Sequence, residues 1–261
     1  MADTPLSSPR VAIVTGAAQG IGEAIALRLA EDGLDVTIVD LPQKREQLEA
    51  VAEAIRTKGR RSVAMYGDVS LEEVVVEIVE KTVKELGGLD VMVANAGICH
   101  FVPVIDTTVE QWESTIAVNA RSVFLAIKCA ARQMIAQGRG GRILVASSVA
   151  GKQGHPGVGA YGASKFAVRG LVQTAAIELR AHKITVNGYC PGLIATPLVK
   201  LDEDEQNGGH GTTVRMLLGL PSDIPPASPE VVGSLVSYLA KPESFYITGQ
   251  SVNVSGGWCM D

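Results

Sequence analysis

Along this chain, short runs of β-branched and aliphatic residues alternate with longer stretches whose apolar positions recur every three to four residues. The short runs fall at residues 11–14, 36–39, 62–66, 91–94, 143–146, 185–189 and 251–254. Such near-continuous apolarity predicts strands buried on both faces, as in a parallel sheet. The longer stretches, at 21–31, 44–57, 72–86, 112–137, 161–180 and 229–239, carry the helical period. Alternation sustained this far predicts one α/β domain over residues 1–261, a doubly wound parallel sheet of about seven strands with helices on both faces. Ligands of such a fold bind at the carboxyl ends of the strands.

One region breaks the rhythm. Residues 202–211 read DEDEQNGGHG, residues 221–229 are proline-rich, and a short apolar segment lies between them. A polar insertion of this length predicts a mobile substrate lid over residues 197–227, with a merely floppy surface loop as the alternative. Residues 1–9 are polar and predict a flexible N-terminal segment without the apolar core of a secretory signal. No stretch approaches the length of a membrane span.

Composition narrows the function classes. Hydrophobic residues are 46% and charged ones 20%, so a large core is available. With 23 Lys+Arg against 28 Asp+Glu the formal charge is −5, which argues against binding nucleic acid through its phosphates. The four cysteines are scattered, with no CxxC or Cys/His cluster, so neither a metal site nor a disulfide framework is expected. A cytoplasmic protein is predicted, consistent with a reducing compartment.

The first strand runs into TGAAQGIG at residues 15–22, where a helix opens. Gly16, Gly20 and Gly22 allow a tight turn and close approach to a pyrophosphate. Gln19, Ile21 and their neighbours begin a helix whose free N–H groups and dipole favour phosphate. Asp40 ends the second strand, where a carboxylate accepts hydrogen bonds from an adenosine ribose and repels a 2′-phosphate. This predicts NAD as cofactor in a Rossmann-like fold, NADP being less favoured, although Lys44 and Arg45 follow closely. Asp68 and Val69 close the third strand and Asn95, Ala96 and Gly97 the fourth, directing further groups to the same crevice. Each is also an ordinary strand-end turn residue.

The chemistry is expected on the helix that opens with YGASK at residues 161–165. Tyr161 and Lys165 are four apart and share a helix face. A free tyrosine titrates near pH 10. A nearby ammonium and a cationic nicotinamide both favour the tyrosinate and predict a lowered pKa. Ser148 ends the preceding strand, placed to hydrogen-bond a carbonyl oxygen that gains charge. Asn119 is a further candidate, a buried amide that could hold a water passing protons to Lys165; an asparagine satisfied by backbone is the alternative.

Together these motifs resemble the short-chain dehydrogenase/reductase family over nearly the whole chain, PGLIAT at residues 191–196 included. The resemblance implies a catalytic tetrad of Asn119, Ser148, Tyr161 and Lys165. It implies a nicotinamide carboxamide held by the backbone after Pro191 and Gly192, by Ile194 and by the Thr196 hydroxyl. It also implies an alcohol or ketone as small-molecule substrate and a homotetramer. The stretches 164–176, 184–192 and 246–257 resemble the acetoin/diacetyl reductases (2,3-butanediol dehydrogenases). Substrate contacts are expected from Ser148, Val149, His155, Tyr161 and Leu193, with residues 98–100 also at the wall. Val149 stands where that subgroup tends to carry a polar side chain, and the acidic lid also departs from it, which leaves a bulkier apolar alcohol such as a terpenoid as the alternative. His100 and His155 can each meet a substrate oxygen or simply face solvent. The tail at 257–261, GWCMD, is apolar for an end segment and is expected to pack at a subunit interface.

Overall fold

The computed structural model describes residues 10–260. The flexible segment expected at residues 1–9 lies outside them. Seven strands form one sheet: β1 (Val11–Thr15), β2 (Asp35–Asp40), β3 (Ser62–Tyr66), β4 (Val91–Ala94), β5 (Gly141–Ala146), β6 (Ile184–Pro191) and β7 (Ser251–Val254). Their order is β3-β2-β1-β4-β5-β6-β7 and every pairing is parallel. The central strands are buried along their whole length, as their unbroken apolar runs require.

Helices cover both faces. On one, α1 (Gly20–Glu31), α2 (Arg45–Thr57) and the later Glu230–Ala240 helix pack Ile25, Leu48 and Val236 against Val14 and Ile38. On the other, α3 (Glu72–Leu86) and two long helices bury Ile78, Met134 and Val172 against Ile13 and Ile143.

The stretch at 112–137, expected as one uninterrupted helix, is three pieces. Helix α4 (Val109–Ile116) starts earlier, because Thr108 and Gln111 close a reciprocal capping box. A π turn follows over Ala117–Arg121, and α5 (Ser122–Gln137) completes the run. The wider turn accommodates Asn119 without breaking the rod. Next come α6 (Gly159–Leu179), the short α7 (Thr212–Leu217) and α8 (Glu230–Ala240).

Residues 197–227 adopt a definite conformation. The Asp204 carboxylate accepts hydrogen bonds from the N–H of Gly211 at 2.7 Å, Thr213 at 3.0 Å and Leu201 at 3.2 Å. Gly208, Gly209 and Gly211, at φ of 104°, 113° and 77°, turn the chain around that carboxylate. The DEDEQNGGHG run therefore wraps its own aspartate. Burial opposes the charge on Asp204, yet these donors outweigh it and hold the carboxyl well below the usual range.

Candidate active site

A cleft of about 580 Å³ opens at the carboxyl ends of the strands, where the order reverses between β1 and β4. Its glycine loop is braced from below. The Thr15 hydroxyl accepts hydrogen bonds from the N–H of Asn95 at 3.0 Å and of Ala96 at 3.1 Å. The Asn95 amide donates to the carbonyls of Thr15 and Gly16 and accepts from the Tyr189 hydroxyl at 3.1 Å. Asn95 thus ties β1, β4 and β6 together. A Cβ on Gly16, which has φ of 64°, would lie 2.9 Å from Ala96 Cα; one on Gly22 would lie 2.0 Å from the Gly16 carbonyl oxygen. Gly22 does not line the cleft but lets α1 pack against the loop.

These residues fit a dinucleotide on three counts. Gln19, which precedes α1, makes no side-chain cap, so the first-turn N–H groups remain available to phosphate. Gly16 and Gly20 keep the loop bare of side chains where it lines the cleft. Asp40 stands at the lip, its Oδ2 accepting from Ala18 N–H and its Oδ1 from Leu41 N–H, with lone pairs left for hydroxyl donors. Lys44 also lines the cleft and donates to Gln19 Oε1 at 3.1 Å. Ile21, Asp68, Val69, Ala96, Gly97, Pro191, Gly192, Ile194 and Thr196 line the same cleft. Thr196 packs against Gly20, so the end of β6 meets the glycine loop. The Thr196 carbonyl accepts from His210 Nε2 at 2.8 Å, which couples it to residues 197–227.

At the other end, Tyr161 and Lys165 rise from α6 beside Ser148 at the end of β5. Lys165 Nζ donates to the Ala146 carbonyl at 2.9 Å and lies 5.4 Å from the Tyr161 ring centre. Ser148 hydrogen-bonds Tyr161, and its Oγ accepts from Ala150 N–H at 3.1 Å. Burial pushes the Lys165 ammonium down to about 8. Burial pushes the Tyr161 hydroxyl up, with the hydrogen bond from Ser148 acting the other way. The lowering expected at this tyrosine draws on a cationic nicotinamide as well as on Lys165; among the side chains alone, burial is the larger effect.

Asn119 lies behind this cluster, fully buried and outside the cleft lining. Its Oδ1 accepts from Ile98 N–H at 2.8 Å, and its Nδ2 donates to the Ile98 carbonyl at 2.8 Å and to Ser164 Oγ at 3.1 Å. Both amide hydrogens are committed, so only one oxygen lone pair remains for a water. A Cβ on Gly97 would sit 3.3 Å from Asn119 Oδ1 and 3.6 Å from Lys165 Nζ. Glycine keeps that corner open.

Val149, His155 and Leu193 all line the cleft, whereas His100 does not. Two wall residues, Phe101 and Val158, were not singled out from the sequence; they are apolar residues without a motif. Val214, Leu218 and Leu220, also at the wall, fall within the region expected as a lid. Trp258, expected at a subunit interface, meets His155 of its own chain, ring centroids 5.5 Å apart at 71°. Its indole Nε1 is buried without a partner. Cys99 adds a thiol to the cleft, and burial pushes it up to about 12, so it presents a neutral, weakly polar surface.

A parallel sheet with a glycine-rich dinucleotide cradle at one end of its crevice and a buried Tyr–Lys–Ser cluster at the other defines a nucleotide-dependent oxidoreductase. The chain belongs to the short-chain dehydrogenase/reductase family: the family model described as short chain dehydrogenase matches residues 10–207. It is 47% identical to the short-chain dehydrogenase/reductase eriH of Hericium erinaceus, over 97% of this chain and 98% of that protein. It is 38% identical to an L-2,3-butanediol dehydrogenase of Corynebacterium glutamicum, over 95% of this chain and 98% of that one. Among solved structures, carveol dehydrogenase of Mycobacterium avium in complex with NAD superposes with a TM-score of 0.88 at 29% identity, covering 97% of this chain and 99% of the other. Among the described residues, no helix is long and apolar enough to cross a membrane.

Proposed function

We propose that this protein interconverts a secondary alcohol and a ketone by hydride transfer with NAD(H), using Tyr161 as acid/base. The observation that carries the reading is the hydrogen-bonded Ser148–Tyr161 pair beside the buried Lys165, in one cleft with the glycine loop and Asp40. When bound, the nicotinamide cofactor supplies or accepts the hydride and, in its oxidised form, brings the positive charge that favours a tyrosinate. In the oxidation direction Tyr161 Oη takes the hydroxyl proton, and in reduction it gives that proton back. Ser148 and Tyr161 share the substrate oxygen and stabilise the charge it gains. Lys165 keeps two of its three N–H donors free for Tyr161 and a cofactor ribose. Asn119 fixes Ile98 and α6 in place, and its remaining lone pair holds a water for proton return through Lys165.

Asp40 supports NAD over NADP, because a carboxylate at the end of the second strand would accept from ribose hydroxyls and repel a 2′-phosphate. The NAD-bound carveol dehydrogenase of similar fold is consistent with this. We place the protein in the cytoplasm as a homotetramer. Two substrate classes suit the chemistry: small vicinal diols and hydroxyketones, in keeping with the butanediol dehydrogenase relative, and bulkier apolar alcohols, in keeping with the carveol dehydrogenase neighbour.

Tyr161→Phe is the direct test. Turnover of ketones with NADH is expected to fall at least about 100-fold, the lower range for losing a positioned acid/base. NADH binding, followed by its fluorescence, is expected to stay within about fivefold, since a lost contact of below about 1 kcal/mol changes affinity no more than that. Residual turnover within about tenfold of wild type rules out Tyr161 as the acid/base.

A further inference from the structure

Three segments distant in sequence meet at one point of the cleft, on the far side from the glycine loop. His155 follows β5, Leu218 follows α7, and Trp258 follows β7; all three line the cleft. His155 hydrogen-bonds the backbone of Leu218, and its Nε2 lies 3.4 Å from the Gln153 amide nitrogen. Both contacts hold the His155 ring in place beside Trp258. Burial also lowers the His155 pKa, which favours the neutral imidazole. Trp258 stands edge-to-face against that ring, and its indole nitrogen would be 2.7 Å from a Cβ placed on Gly192. The Trp258 nitrogen is buried and unpartnered, so the cleft meets the indole through its ring.

The rest of this end is equally poor in polar groups. Val149, Leu193, Val214 and Leu220 are apolar, and no charged side chain joins them. Beyond Ser148 and Tyr161, which serve the reacting oxygen, the walls formed by Val149, Leu193, Val214 and Leu220 offer no donor for a second substrate oxygen. A vicinal diketone or diol would bury that oxygen unpaired, at a real cost in affinity. An alicyclic body would instead cover apolar surface and lie on the Trp258 ring.

We propose that Trp258, braced by His155, is the specificity-determining wall of the substrate site, and that it selects a bulky alicyclic secondary alcohol or ketone with a single oxygen at the reacting centre. The inference rests on the proposed reductase reading, and it makes the C-terminal segment and the lid two halves of one chamber. His155 is a positioning residue: it joins the halves and touches no reacting atom.

Two probes, 4-tert-butylcyclohexanone and diacetyl, decide it with NADH as reductant. Wild type is expected to favour the cyclic ketone in kcat/KM. Trp258→Ala is expected to lower that preference by roughly 10- to 100-fold, mainly through KM, the scale on which hydrophobic pockets discriminate. Trp258→Phe should restore most of it, and His155→Ala should weaken it while leaving NADH affinity unchanged. A second reading needs no turnover. The chain has two tryptophans, so Trp112→Phe leaves Trp258 as the sole indole reporter, and the cyclic ketone should shift its fluorescence in the NADH complex. A wild-type preference for diacetyl, an unchanged ratio in Trp258→Ala, or an unresponsive Trp258 each overturns the proposal. Failure to reduce either ketone, with the Trp258 response intact, counts against the reductase reading and leaves the wall standing.

Discussion

Lys165 is 2% exposed and carries an ammonium whose pKa burial has lowered from 10.5 to about 8. Between those two values the unfolded chain holds a proton that the folded chain has released. Stability contributed by this group therefore rises with pH from about 8 to 10.5 and is flat below. Lys165→Met removes the buried charge, so its stability advantage over wild type is expected to narrow between pH 7 and pH 9.5 in denaturant midpoints. A gap that holds constant over that range refutes the buried-ammonium account. NADH binding runs the opposite way and should weaken above pH 8, as the ammonium that would meet the ribose discharges. Residues of this kind were legible in the sequence because chemistry imposes their spacing: a Tyr and a Lys one helical turn apart, a Ser closing the strand before, glycines between strand and helix. Trp258 was visible only as an apolar residue near the end of the chain. No period or motif says which surface such a residue will cover, and the contact with His155 spans the fold.

The elements repeat that division. All seven strands and the long helices lie close to where apolar period placed them, since burial on one face or two writes itself directly into the pattern. The π turn at Ala117–Arg121 left no such mark, because it replaces one hydrogen-bond register by another without a Gly or Pro. Within residues 197–227, expected as a polar lid or loop, the inward turn of Asp204 escaped for a different reason. Their acidic, glycine-rich composition reads as solvated loop, yet one of the acids is turned inward and satisfied by backbone N–H groups. A carboxyl held below its ordinary 3.8 contributes stability that is complete above that value and lost as pH falls through the folded one. The part of the proposed lid's stability that Asp204 supplies is thus fully present at neutral pH. At neutral pH, Asp204→Ala is expected to open residues 202–213 to limited proteolysis and to raise KM for ketones several-fold. An unchanged cleavage pattern would show that the carboxylate does not hold the segment.

On the scale of the whole molecule, large apolar side chains remain on the surface at several places. Phe124 on α5, Phe166 and Ile177 on α6, Tyr238 on α8, and Phe245 and Tyr246 before β7 are among them. Exposed apolar areas of this kind are what the proposed tetramer of two-fold symmetry would cover. Light scattering is expected to give four times the 27.3 kDa chain mass, and Phe166→Glu with Tyr246→Glu should release smaller species. A monomer mass for wild type at micromolar concentration would remove the assembly from the account. The order of the sheet has a consequence for how such a molecule is made. β2 and then β3 add outward from β1 on one side; β4, β5, β6 and β7 add outward on the other. No strand must insert between two that are already paired. A chain emerging from the ribosome can lay down this sheet vectorially, each new strand finding a free edge, and the nucleotide cradle is framed as soon as β4 settles beside β1. Slow closure of long-range parallel pairings is thus spread over synthesis, one edge at a time.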